Sequence, residues 1–286
     1  MQFKQLLSIL NRPWAIEPQS GEYWRGIAFD IIYKGITGVA TFDNRKYLSE
    51  IYRTDAKGTI DNSGPIQVIH IAGPIAKYDM CGSAGTQSLQ NAVRAANADN
   101  SIAAMLLVID SPGGQVDGTE NLANEIKAST KPVVAFVDGM MCSAAYWIGS
   151  SATEIFADKA NNGYNATIGS IGTMVSWKDA TKAQEAQGIK THTVYADASV
   201  DKNQTFAKAN QGDYTELKQQ LNNINDTFLS AVQANRMGKL DLAKENVLTG
   251  KTYDAKQAIK YGLIDRMGTF QQAVSRAYFL SKNKTA

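Results

Sequence analysis

The sequence predicts an α/β fold on a mainly parallel sheet, and three observations predict it. Short apolar runs such as AAMLLVID and PVVAFV alternate with segments whose apolar residues recur four positions apart, the spacing of one helix face. The runs are continuous in apolar character instead of alternating, which is the pattern of strands covered on both faces. The units follow one another as strand, helix, strand, and such crossovers build parallel sheets with functional loops at the carboxyl ends of the strands.

Taken in order, residues 1–63 form an N-terminal segment of weakly apolar stretches, Ile27 to Tyr33 and Gly38 to Phe42, between polar turns. It ends in the loop-like KGTIDNSGP, a hinge into a main domain spanning 64–286. There IQVIHIAGPI reads as a buried strand, and GTQSLQNAVRAANADN as a helix that points Leu89 and Val93 inward. AAMLLVID is the next strand, and DGTENLANEIKAST a helix with Leu122 and Ile126 on one face. Pro132 opens a strand that runs to Val137 and breaks at Asp138-Gly139; SAAYWIGSSA restarts as a helix and TEIFAD as a strand.

Further on, IKTHTVYA alternates as a strand would. DYTELKQQLNNINDTFLSAVQANRMG sets Leu217, Leu221, Ile224, Phe228 and Val232 on one face of a long helix, 213–236. Asp213 suits its N-cap, and Arg236 suits its carboxyl-terminal dipole. The last stretch predicts a helix stopping at Gly262, a short strand and turn at LIDRMG, and a terminal helix.

Composition narrows the function. The 286 residues are 44% hydrophobic and 20% charged, with a formal charge of +2. That balance is ordinary for a globular chain, and too near neutral to steer nucleic acid or an anionic membrane surface. Two cysteines, Cys81 and Cys142, lack metal-ligand spacing and read as reduced thiols of a cytoplasmic protein. The first residues, MQFKQLLSILNRPWAIEP, lack the apolar core and cleavage site of a secretory signal, and no segment is apolar for the length of a membrane span.

Two loops carry chemistry. In VIDSPGGQVDG a strand ends in Ser111-Pro112-Gly113-Gly114, where glycines let a backbone N–H approach a ligand oxygen; a plain tight turn would need the same residues. In GMMCSAAYW, Ser143 stands at the first turn of a helix, where it is either a nucleophile or an N-cap. Together they give the layout of an acyl-transfer site, a serine between two N–H donors. The two histidines, His70 and His192, both read as strand residues and not as bases on loops. A lysine kept neutral by desolvation is the alternative base.

These motifs, with TIGSIGTMV and GLIDRMG, resemble the signal peptide peptidase A-like serine peptidases, peptidase family S49, over about Ile66 to Ala277. The resemblance implies the crotonase/Clp-protease fold, Ser143 as nucleophile, a lysine base and an oxyanion hole from the amides of Gly113 and Ala144. It also implies that Gly114 and Ser170 contact the substrate. Clp proteases place a histidine in the region that here reads NATIGSIGTMV, without one.

A strict match to the family's lysine segment falls at Ser199 or Val200 in VYADASVDKNQTFAKANQGDY, so the base is assigned to Lys202, with Lys208 as fallback. That departure leaves open a degenerate, inactive member acting as a scaffold or assembly protein. An acyl-CoA enzyme on the same fold ranks lower, because no carboxylate stands as its acid or base.

Without an anchor, the chain is most similar in kind to the capsid maturation proteases of tailed phages, and NRPWAIEP resembles their N-terminal segments. The alternative is a cellular cytoplasmic peptidase of the same family. The resemblance implies a protein or peptide substrate, phage portal, scaffold or capsid proteins as partners, and a homo-oligomer in the host cytoplasm or procapsid with helix 213–236 near its contacts. It implies no metal or cofactor, and no nucleic acid or membrane as partner.

Overall fold

Ala104–Ser111, the most continuously apolar run of the chain, forms an inner strand of the sheet. The computed structural model describes residues 14–16, 50–54, 60–79, 83–177 and 179–283. Of the features predicted above, the apolar stretches between 27 and 42 and Cys81 lie outside them.

In chain order the first elements are β1 (Trp14–Ile16), β2 (Glu50–Thr54), β3 (Ile60–Ala72), α1 (Thr86–Ala98), β4 (Ala104–Ser111) and β5 (Gly113–Gln115). Next come α2 (Thr119–Lys127), β6 (Val133–Cys142), α3 (Ala144–Ser150), β7 (Glu154–Asp158) and β8 (Thr167–Gly169). The remainder are α4 (Thr181–Ala186), α5 (Gln204–Asn210), α6 (Thr215–Asn235), β9 (Thr252–Asp254), α7 (Ala255–Lys260), β10 (Arg266–Gly268) and α8 (Phe270–Lys282).

The sheet runs β10-β7-β6-β4-β3-β2, with β8 beside β6 and β9 beside β8, and is parallel except for the β2–β3 and β8–β9 pairs. Its two faces are both covered, which is why its strands carry no polar alternation. Met105, Leu107 and Ile109 of β4 point to one face, against α1, α2 and α3. Leu106 and Val108 point to the other, where Ala273, Val274 and Ala277 of α8 cover them. Removing each of the larger side chains from water stabilises the fold by about 1.5–3 kcal/mol, enough to offset the roughly 1–2 kcal/mol of backbone ordering per residue.

The structure corrects four readings. KGTIDNSGP is not a hinge loop over its whole length, since β3 already begins at Ile60: pairing with β2 (Arg53↔Asp61, Thr54↔Ile60) carries the strand through its turn-forming residues. β6 does not break at Asp138-Gly139 but continues to Cys142. Gly139 takes φ +133°, and the Met140 N–H donates to Asp110 Oδ1 at 2.9 Å, so the strand bends and changes partner from β7 to β8. IKTHTVYA forms no strand; His192 lies in an exposed irregular stretch. The long helix begins at Thr215, with Asp213 receiving the Thr215 N–H, and Arg236 is buried in an ion pair instead of facing the helix dipole.

Candidate active site

The bend in β6 delivers Ser143 to the head of α3. Register does the placing: Ser111 of β4 stands abreast of Met141 of β6, so the chain two residues beyond each brings Gly113 and Ser143 to the same end of the sheet. Ser143 adopts φ 56°, ψ −118°, a conformation that glycine takes freely and other residues only under constraint. An N-cap residue would instead be extended, with its side chain accepting a helix N–H, and Ser143 makes no such bond. The Ser143 side chain therefore does not cap the helix.

What holds the strained serine is the TIGSIG segment. The Ser143 N–H donates to the Gly169 carbonyl at 2.8 Å, Cys142 pairs with Gly169, and the Ser143 hydroxyl donates to the Gly172 carbonyl at 3.3 Å. Ser170, at φ 50°, is nearly buried and anchored through its N–H to the Lys251 carbonyl at 2.7 Å. Sequence reasoning singled out TIGSIG by resemblance but missed that the Gly172 carbonyl, a backbone group, would receive the hydroxyl.

The glycine loop is equally constrained. Gly113 is buried at φ +97°, its carbonyl accepts the Ile75 N–H at 2.8 Å, and its N–H donates to Ser111 Oγ at 3.2 Å. Ser111 Oγ in turn donates to the Gly73 carbonyl at 2.6 Å, so this serine fixes the loop. A Cβ on Gly114 would lie 1.9 Å from the Ile75 carbonyl oxygen, which explains the second glycine. Ala144 opens α3, so its N–H has no acceptor within the helix.

Behind the serine, α3 is fastened on every side. Trp147 stacks on Phe228 of α6 with centroids 4.7 Å apart, and the Tyr146 hydroxyl donates to the Leu263 carbonyl at 2.8 Å. Burial pushes the Tyr146 phenol well up, so it stays a neutral donor. Arg236 donates to the Gly262 carbonyl and to Asp265, whose Oδ2 also receives the Ile155 N–H at 2.8 Å. Burial works to raise the Asp265 carboxyl, but bonds from Arg236 and Lys239 outweigh it and hold the group below the usual carboxylate range.

A cavity of about 360 Å³ opens beside the Gly172 carbonyl. Ile171, Met174, Leu221 and Leu248 supply its apolar lining, and Asn225 and Lys218 reach it from α6. Asn225 Oδ1 accepts the Thr173 N–H at 3.1 Å, tying the cavity wall to the serine's own segment. Neither the cavity nor Lys218 was evident from the sequence, because both depend on how α6 packs.

Neither lysine candidate bonds to the hydroxyl of Ser143. Lys202 is exposed in the turn before α5, and the hydroxyl of Ser143 is bonded to Gly172 instead. Lys208 is ion-paired with Glu216, and hydrogen bonding to that carboxylate raises its pKa, the wrong direction for a general base. His70 lies in β3 between Ile69 and Ile71, as its flanking residues predict.

Comparison with known proteins adds to this geometry. The model of a family described as "Peptidase family S49" matches residues 125–284, which contain Ser143, Ser170 and both lysines. A Methanocaldococcus jannaschii protein named as a protease is 29% identical over 62% of this chain and 56% of its own. Protease 4 of Haemophilus influenzae is 29% identical over 68% of this chain and 31% of its own. Capsid assembly protease C of Escherichia phage lambda is 25% identical over 93% of this chain and 63% of its own. This chain thus spans about half or less of the length of the first two of these relatives.

Proposed function

This chain belongs to peptidase family S49, and on that premise we propose that it is a serine endopeptidase with Ser143 as nucleophile and Lys202 as general base. The fold is the Clp-protease-like α/β fold of that family, built on a mainly parallel sheet. The observation that carries the reading is the backbone of Ser143: a positive-φ serine at a strand-to-helix turn, capping nothing, its hydroxyl held by a single carbonyl. Strain of this kind, roughly 1–3 kcal/mol, persists where the surrounding structure over-determines it, and such sites are commonly functional.

In this reaction the Ser143 oxygen attacks the peptide carbonyl while the amine of Lys202 takes its proton. The N–H groups of Gly113 and Ala144 hold the developing oxyanion, Gly113 exchanging its bond to Ser111 for one to the substrate. Collapse breaks the C–N bond, and the lysine ammonium returns the proton to the leaving amine. Water, deprotonated by the same amine, then releases the acyl group and restores the serine.

Gly114 and Ser170 flank the bound peptide, and the cavity beside Gly172 takes a small or apolar side chain next to the scissile bond. Lys202 acts in a homo-oligomer, carried to Ser143 of an adjoining subunit. The stretch leading to it is exposed and presents Ile189, Val194 and Val200 to solvent, as an arm that packs on a neighbour would. The likeness to a phage capsid assembly protease supports a role in capsid maturation, on scaffold, portal or capsid proteins, inside the host cytoplasm or the procapsid. No helix among the described residues is long and apolar enough to cross a membrane.

The test is cleavage of an unstructured protein by the parent and by Ser143→Ala. Cleavage by the parent alone is expected, and equal cleavage by both would end this reading.

A further inference from the structure

We propose that the chain's own Trp14–Ile16 lies in the place of a substrate strand, so that the N-terminal segment is an internal inhibitor that must leave before peptide enters. The inference rests on the proposed peptidase reading of Ser143 and Gly113. β5 is a short strand with two edges. Along one, Ile75 pairs with Gly114: the Ile75 N–H donates to the Gly113 carbonyl and the Gln115 N–H to the Ile75 carbonyl, each at 2.8 Å. Strand alternation then turns the N–H and carbonyl of Gly114 to the opposite edge. There β1 pairs antiparallel, with Trp14↔Gln115, Ala15↔Gly114 and Ile16↔Gly113.

That edge is where an extended peptide would add itself to the site, since strand addition satisfies exposed backbone groups and leaves side chains free for pockets. Direction matters as well as place. β1 runs against β5, so it enters at Gln115 and reaches Gly113 last, at the end of the sheet where Ser143 stands. A peptide oriented for attack would run the same way, its acyl portion paired along Gly114 and Gln115 and its scissile carbonyl at the Gly113 N–H. Trp14–Ile16, to which no role in the chemistry falls, thereby gain one: they cover the substrate edge in cis. Held on the same chain, such a strand competes with free peptide intramolecularly, at an effective concentration that does not fall on dilution.

The experiment uses the full chain in a Ser143→Ala background, so that no turnover enters. The probe is a fluorescein-labelled synthetic peptide of residues 10–20, LNRPWAIEPQS, followed by anisotropy. Ala15→Pro removes the N–H that pairs with Gly114 and cannot join the ladder. The peptide is expected to bind the Ala15→Pro protein at least about tenfold more tightly than its parent, a difference of roughly 1.4 kcal/mol. Hydrogen exchange at the Gly114 amide should rise in the same variant. Equal affinity for variant and parent, binding to neither, or unchanged exchange at Gly114 would overturn the proposal. An Ala15→Pro protein with Ser143 intact that still fails to cleave protein substrates would count against the serine chemistry alone, because neither readout depends on it.

Discussion

Ser143 hands its hydroxyl hydrogen to the Gly172 carbonyl, 3.3 Å away, while its backbone stays at a positive φ. The bond is long and its net worth small, about 1 kcal/mol. The strain is of the same order or greater. Ser143→Gly is therefore expected to abolish cleavage while leaving stability unchanged or raising it by about 1 kcal/mol, read by urea unfolding. A Ser143→Gly protein that is destabilised by more than the lost hydrogen bond would mean that the conformation is not strained.

The assignment of Lys202 predicts a division between two neighbouring lysines. Lys202→Met should lower cleavage by about a hundredfold or more, the scale of general-base assistance. Lys208→Met should leave it nearly unchanged, since Lys208 is engaged with Glu216 at the surface and such pairs contribute little. If the amine is supplied across a subunit contact, mixing Ser143→Ala with Lys202→Met subunits restores activity to sites pairing an intact serine with an intact lysine. Mixed subunits that stay inactive would return Lys202 to its own chain or remove it from the mechanism.

Gly114→Ala tests the packing of the oxyanion loop. The added methyl would sit 1.9 Å from the Ile75 carbonyl oxygen, against backbone that cannot swing away. The loop must move, breaking the Ile75 bonds to Gly113 and Gln115, so a loss of at least about 2 kcal/mol and of nearly all cleavage is expected. Gly188→Ala is a control, because no atom stands near its Cβ, although its positive φ still costs about 1 kcal/mol. A loss at Gly114 no greater than that at Gly188 would show that the contact with Ile75 is relieved at little cost, because Gly114 itself is not at a positive φ.

Much of this was legible in the residues. Continuous apolar runs disclosed the parallel sheet because burial on both faces demands them, and Leu89, Val93, Leu122 and Ile126 fell on the helix faces that their spacing assigned. Local turn chemistry was the weaker guide. Asp138-Gly139 looks like a break, yet Asp110, distant in sequence, accepts the Met140 N–H and turns the break into a bend. Arg236 looks like a dipole partner until Asp265 and Gly262 are folded against it. The Gly172 carbonyl and the β1–β5 pairing were invisible for a different reason: in both the acceptor is a backbone group, which side-chain identity does not encode.

The Arg236–Asp265 pair gives the remaining prediction, and its sign follows from the carboxylate. Because the folded Asp265 pKa is lowered, its contribution is fully present above the unfolded value, about 3.9, and is lost as pH falls through the folded value. Asp265→Asn should cost about 3–5 kcal/mol at pH 7, since it leaves the buried Arg236 cation uncompensated. That gap between variant and parent should then narrow below about pH 4, as the parent's own carboxylate takes up its proton. Urea unfolding of both proteins across pH 3 to 7 reads the difference directly. Since this pair fastens the Gly262–Asp265 turn that receives the Tyr146 hydroxyl of α3, the loss should also loosen Ser143, visible as faster hydrogen exchange in Ala144–Ser150. A gap that stays constant down to pH 3 would mean that Asp265 is protonated no differently in the folded and unfolded chains.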